Sequence, residues 1–316
     1  MRTRVLDLDG GVCAQAGLLE AFRPAVCDLR DWGPRLRLAC GHRRFAAFEA
    51  DLARRLGPTG DDPAVTFVGS GDFHHVTLAL LRRIRRPFNL LMLDNHPDWM
   101  RGVPFLHCGT WLWHALRTTA VRRVILAGGQ TDFDNGFRWL APRRELLAGR
   151  VVVFPPVRPY TGGFWGRLRQ VPLLDGRGQL QPGRFRQALA PLADDLARYP
   201  LYITFDKDVL TPAEAVVSWD SGRLDLEQAV EVMEVVRELA GDHLLGLDVV
   251  GDWSPPRIAG WARTLLAQLE HPRQPVDPER AARTNEATNL RLLQTLQGHR
   301  TAWQAVRLDV PPAVRS

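Results

Sequence analysis

Asp94, His96 and Asp98 stand at alternate positions directly after the apolar run Phe88 to Leu93. In extended backbone, alternate side chains point the same way. Two carboxylates and an imidazole can therefore converge on one point at the end of a short buried strand. Carboxylates that close repel each other unless a cation lies between them, and one or two divalent ions make the cluster favourable. A second acidic pair, Asp206 and Asp208, follows the apolar run Leu201 to Phe205, and His74 and His75 follow the strand-like Ala64 to Gly69. Imidazole and carboxylate ligands without thiolate suit Mn, Fe, Co, Ni or Zn rather than a structural zinc–thiolate site. A water bridging two such ions would be acid enough to ionise near neutral pH. Its target would be a planar, electrophilic carbon in an amidine, guanidine, amide or imine.

The elements that must position these residues are legible as alternating strands and helices. Strands are expected at 5–9, 64–69, 88–94, 121–127, 151–154, 201–205 and 244–250. Helices are expected at 45–56, 74–85, 109–118, 185–198, 226–239, 258–269 and 278–297, and residues 28–43 read as irregular. Such alternation implies crossover connections and a mainly parallel sheet covered on both faces. Ligands bind such sheets at the C-terminal ends of their strands. Four of the expected strands end in acids or imidazoles: at 72–75, at 94–98, at 206–208 and at Asp252. No linker separates two cores, so residues 1–316 are expected to form a single domain.

Composition bounds the function. The 316 residues are 45% hydrophobic and 24% charged, an ordinary globular balance. No apolar run approaches the roughly 18 residues of a membrane span. Asp7 and Asp9 interrupt any signal-like stretch at the N-terminus, so a cytoplasmic location is the expectation. The four cysteines form no CxxC pair and read as free thiols. The net charge of +6 comes from scattered arginines, with no nucleic-acid module, so no nucleic-acid partner is expected. Of the 41 basic residues only Lys207 is lysine. It lies between Asp206 and Asp208, where a compact ammonium and a wide guanidinium are not interchangeable.

Together, Gly71-Asp72-Phe73-His74, Asp94-x-His96-x-Asp98 and Asp206-x-Asp208 followed by Pro212 resemble the motifs of the ureohydrolase superfamily, which includes arginase and agmatinase. Ser221-Gly222-Arg223-Leu224 resembles the Gly-Gly-Leu segment after that family's second acidic motif. The resemblance runs from about Ala64 to Pro255. It implies a three-layer α/β/α fold with a mostly parallel sheet of about eight strands. It also implies two divalent ions, usually manganese, bridged by hydroxide, and hydrolysis of a non-peptide C–N bond in a small-molecule substrate. Homo-oligomers are frequent in the family. By this resemblance Asp94, His96, Asp98, Asp206 and Asp208 are metal ligands with one histidine of the 74–75 pair; Asp98 or another ligating carboxylate is expected to orient the attacking hydroxide, and His107, at the family's His-Gly segment, or solvent to protonate the leaving amine.

The departures from the family pattern are specific. Phe73 is inserted before the histidines, so the ligand is His74 or His75, and absorption of the insertion in the turn favours His74. Thr204 stands where a serine is usual, and Thr211 replaces the aspartate before the proline. Lys207 replaces an apolar residue and would point away from the metals, toward a neighbouring acid. The late glutamate that holds a guanidinium is absent; Gly251-Asp252-Trp253 stands there instead. Asp252, Trp219 and Lys207 are the expected substrate-side residues. A non-catalytic binding protein of the same fold, and a deacetylase-like amidohydrolase, are the competing expectations.

Overall fold

The structure is a computed structural model describing residues 2–58, 63–101, 105–129, 139–241, 243–270 and 276–306. Its strands are β1 (Arg2–Asp7), β2 (Ala25–Asp28), β3 (Ala39–Gly41), β4 (Ala64–Gly69), β5 (Phe88–Asp94), β6 (Phe105–His107), β7 (Val121–Gly128), β8 (Val151–Phe154), β9 (Leu201–Asp206) and β10 (Leu244–Val250). Eight of them form one sheet in the order β2-β1-β4-β10-β9-β5-β7-β8, and every pairing is parallel. β3 and β6 form a separate antiparallel pair.

Hydrophobic alternation explains the layers. All seven residues of β5 are buried, as a strand covered on both faces requires. Leu91 and Leu93 pack into one core with Phe185, Leu196, Val232, Val236 and Leu292, from helices Pro182–Leu189, Ala193–Arg198, Leu226–Leu239 and Pro278–Val306. Leu90 and Met92 face the other way, against Phe45, Phe48, Leu78, Leu112 and Leu116 from helices His42–Leu56, Val76–Leu81 and Trp111–Thr118. The result is the three-layer α/β/α arrangement with an eight-stranded parallel sheet. Helix Leu226–Leu239 starts where expected because Asp225 and Gln228 form a reciprocal capping box.

The strand order creates the site's location. From β4 the chain crosses to β5, three positions away, and β9 and β10 later fill the gap. The crevice at such a switch point is where ligands bind in open parallel sheets.

Several boundaries differ from the sequence reading. The segment 28–43 is more regular than expected: it holds the helix Gly33–Leu36 and strand β3. The helix expected at 74–85 is a 3₁₀ turn over Gly71–Phe73 and a short helix Val76–Leu81. The helix expected at 185–198 is divided around Pro191, whose missing N–H starts a 3₁₀ turn at Ala190–Leu192. No helix among the described residues is long and apolar enough to cross a membrane.

Candidate metal centre

Three of the four central strands deliver the acidic and histidine residues, all from their C-terminal ends. After β4, the Ser70 side chain caps the Gly71–Phe73 turn by accepting from the Asp72 N–H. The inserted Phe73 turns inward, fully buried beneath the Arg37 guanidinium, 5.5 Å from ring centroid to Cζ. This leaves His74 aimed at the sheet end. β5 ends on Asp94, and Asp98 follows in left-handed backbone, φ +47°. A non-glycine residue there is strained and persists only when its surroundings hold it. Trp111 Nε1 donates to Asp98 Oδ2 at 2.7 Å and supplies that hold. β9 ends on Asp206, whose carboxylate accepts from the Asp208 N–H at 3.0 Å and shapes the turn Lys207–Val209.

The side chains converge. His74 Nδ1 lies 3.1 Å from Asp94 Oδ2, 3.0 Å from Asp98 Oδ2 and 3.3 Å from Asp206 Oδ2. His96 Nδ1 lies 2.7 Å from Asp208 Oδ2 and 3.8 Å from Asp94 Oδ1. Two groups capable of holding a metal ion result, His74–Asp94–Asp98 and Asp94–His96–Asp208, and Asp94 belongs to both. Donor atoms about 2.1 Å from an ion and at right angles stand about 3.0 Å apart. The spacings around His74 match that edge length, so these residues fit a divalent cation.

Electrostatics agree with the geometry. Burial and the neighbouring charges of Asp98 and Asp208 hold Asp94 well above the usual carboxylate range. Burial, then Asp208, pushes Asp206 up to about 8. Burial alone would depress His74 and His96, yet the surrounding aspartates hold both well above the ordinary histidine value. Every shift has one meaning: this pocket attracts positive charge, as protons or as metal ions.

Interactions behind the ligands fix their orientation. Thr77 and Thr204 hydroxyls both donate to Asp248 Oδ1 at 2.8 Å. With its proton on Asp248, Thr204 Oγ1 accepts from His74 Nε2 at 3.0 Å. When His74 is neutral, as a metal ligand must be, its proton sits on Nε2 and leaves the Nδ1 lone pair toward the aspartates. On the other side of the turn, buried Arg37 donates to Asp72 Oδ2 at 2.7 Å, to Ser70 and Ser254 hydroxyls, and to the carbonyls of Ser254 and Pro255.

The remaining candidates fall in three places. His75 is buried against Phe45, and neither ring nitrogen has a hydrogen-bond partner among the described residues; burial takes its pKa down to about 3. His107 and His96 both stand edge-on to half-buried Trp219, with ring centroids 6.4 and 5.6 Å away. The Gly109 N–H donates to His107 Nδ1 at 2.9 Å, so a neutral His107 carries its proton on Nε2. Asp252, expected to face substrate, is enclosed at 1% exposure in an ion pair with Lys207, 2.7 Å away. Burial lowers the Lys207 pKa against the pull of Asp252.

Sequence reasoning missed Arg37, Trp111, Asp248, Gln15 and Asn289. Asp248 left one signal, an acid inside the apolar run Leu247 to Val250. Arg37 left none, since its partners lie at 70–72 and 254–255.

No protein-family model matches the chain. An uncharacterized protein of Thermotoga maritima is 29% identical over 191 residues, which is 60% of this chain and 59% of that protein's length. A solved structure of a hypothetical agmatinase from Burkholderia thailandensis is similar over 94% of this chain and 87% of its own, with 17% identity and a TM-score of 0.49. Formimidoylglutamase from Bacillus subtilis is similar over 92% and 87%, with 12% identity and a TM-score of 0.47. Arginases are also among the solved structures to which this chain is similar.

Proposed function

We propose that the chain is a hydrolase with a binuclear metal centre, cleaving a non-peptide C–N bond in a small molecule. The observation that carries this reading is the convergence of His74, Asp94, Asp98, His96 and Asp208 into two groups sharing Asp94, with Asp206 Oδ2 3.3 Å from His74 Nδ1. In this reading His74, Asp94, Asp98 and Asp206 hold one ion, and His96, Asp94 and Asp208 the other. Two divalent ions, manganese by the sequence resemblance, would supply Lewis acidity and a water ionised near neutral pH. The chain's own residues do the rest. Asp98, pinned by Trp111, orients the nucleophile. His107, its Nδ1 taken up by the Gly109 N–H, offers its Nε2–H as a hydrogen-bond donor to the substrate, and the leaving amine takes its proton from solvent. Trp219 shields the cluster from bulk water and forms an apolar wall for substrate.

The ligand-bearing turns leave strands β4, β5 and β9 of one sheet, so in this reading one domain carries the whole site. The proposal places the protein in the cytoplasm, where its four free cysteines would stay reduced. It requires no nucleic-acid partner, and homo-oligomer formation is compatible with it.

The enclosure of Asp252 takes away the acid that the exit of β10 would offer to a guanidinium. The test is therefore a substrate panel spanning guanidines, amidines, amides and acetylated amines, run on manganese-loaded protein. Amine or ammonia release that disappears in His107→Ala and Asp98→Ala supports the reading. Bound metal without turnover across the panel would instead indicate a binding protein.

A further inference from the structure

Lys207 is the chain's single lysine beside 40 arginines, and its side chain is fully enclosed. Its ammonium donates to Asp252 Oδ1 at 2.7 Å. The same oxygen accepts from Gln15 Nε2 at 2.6 Å and from Asn289 Nδ2 at 3.1 Å, and Asn289 also donates to Gln15 Oε1 at 2.9 Å. A loop near the N-terminus, the exit of β10 and the helix Pro278–Val306 meet on this one carboxylate.

Asp252 also joins the two ligand-bearing turns. Its backbone N–H donates to the Gly69 carbonyl at 2.9 Å, and the Gly251 N–H donates to the same oxygen at 2.8 Å. Gly69 ends β4 and leads into the turn carrying His74. The Asp252 side chain holds Lys207, between Asp206 and Asp208. Gly251, at φ +97°, lets the backbone press against that turn; a β-carbon there would stand 2.7 Å from Asp206 Oδ1 and 3.0 Å from Lys207 Cβ.

Charge matching separates position from neutralisation. With water not yet ionised, the four aspartates of the cluster balance two divalent ions, and Asp252 balances Lys207. The ammonium is thus not needed to neutralise a loaded centre. We propose that Lys207 is a positioning residue: clamped by Asp252, it sets the Asp206–Asp208 turn against the His74 turn so that both ions bind at once. This inference rests on the metal-centre reading. It also accounts for lysine among so many arginines, since a wide guanidinium fork does not fit a space enclosed around a compact ammonium.

The test compares wild type with K207M/D252N and K207Q/D252N. Both double variants remove the two charges together, so neither leaves a buried charge unpaired. The D252N change keeps an acceptor for Gln15 and Asn289, and K207Q restores a neutral donor that K207M lacks. The readouts are calorimetric Mn2+ titration of metal-free protein and the electron paramagnetic resonance signature of a spin-coupled manganese pair. In K207M/D252N the first ion should bind as in wild type and the second about tenfold or more weaker, with the coupled signal lost at two equivalents. K207Q/D252N should recover part of that affinity and of the coupled signal. Wild-type affinity for both ions in folded K207M/D252N would overturn the positioning role and leave the metal centre standing. Failure of the wild type itself to bind a manganese pair would overturn the metal-centre reading, and this proposal with it.

Discussion

Asp94 turns one carboxylate oxygen to each of two histidines, Oδ2 standing 3.1 Å from His74 Nδ1 and Oδ1 3.8 Å from His96 Nδ1. Of these two histidines, Asp208 is paired with His96, its Oδ2 2.7 Å from His96 Nδ1. The two aspartates should therefore behave differently. Asp94→Asn should lose both manganese ions, and Asp208→Asn should keep one. The affinity losses should exceed the roughly 10–100-fold typical of removing an outer partner. Metal analysis after gel filtration distinguishes the two outcomes.

Thr204 connects His74 to Asp248 through one hydroxyl. Thr204→Val keeps the shape but leaves the buried His74 N–H and an Asp248 oxygen without that partner. Manganese affinity should fall by about 10–100-fold, and Thr204→Ser should restore it. Calorimetric titration measures both; equal affinity in the valine variant would remove the hydroxyl from the account.

Proton and metal occupancy should pull stability in opposite directions with pH. The folded pKa of Asp206, about 8, lies above its unfolded value of 3.8. A carboxyl raised on folding contributes stability below its unfolded pKa and loses it as pH rises to the folded one. His74 and His96, also raised, add loss above their unfolded value. Metal-free protein should therefore melt at progressively lower temperature from about pH 6.5 to about pH 8. With manganese present, binding to the deprotonated ligands should flatten or reverse that slope. Thermal melts in chelator and in manganese across this range provide the comparison.

Arg37 and Asp72 form an ion pair with both side chains 2% exposed. Arg37→Met takes the guanidinium away from the buried Asp72 carboxylate, and should cost about 3–5 kcal/mol of folding stability. Arg37→Met with Asp72→Asn should recover much of it. Urea denaturation of the metal-free proteins measures the difference.

What the sequence discloses follows from how locally each feature is encoded. The strand β5 is readable because its apolar run and its alternating Asp94, His96 and Asp98 are contiguous. Helix Leu226–Leu239 is readable because its capping residues adjoin its periodic stripe. Strand β2 escapes a sequence reading because it is a four-residue edge strand with little burial. Strands β3 and β6 escape it because each has three residues and depends on the other, more than sixty positions away. At the site, the converging acids are legible from strand ends alone. The insertion in the turn favours His74 over His75, but the packing of Phe73 beneath Arg37, a contact across 36 positions, is not legible. Asp252 reads as facing substrate until its partners, Gln15, Lys207 and Asn289, are brought to it from three distant segments.

The central claim is a pair of metal ions on the cluster shared through Asp94. Its most direct measurement is the metal content of purified protein, loaded with manganese, freed of excess ion and assayed by elemental analysis beside Asp94→Asn. The wild type should hold close to two ions per chain and the variant none. Wild-type protein that retains no ion, or that retains the same number as Asp94→Asn, would contradict it.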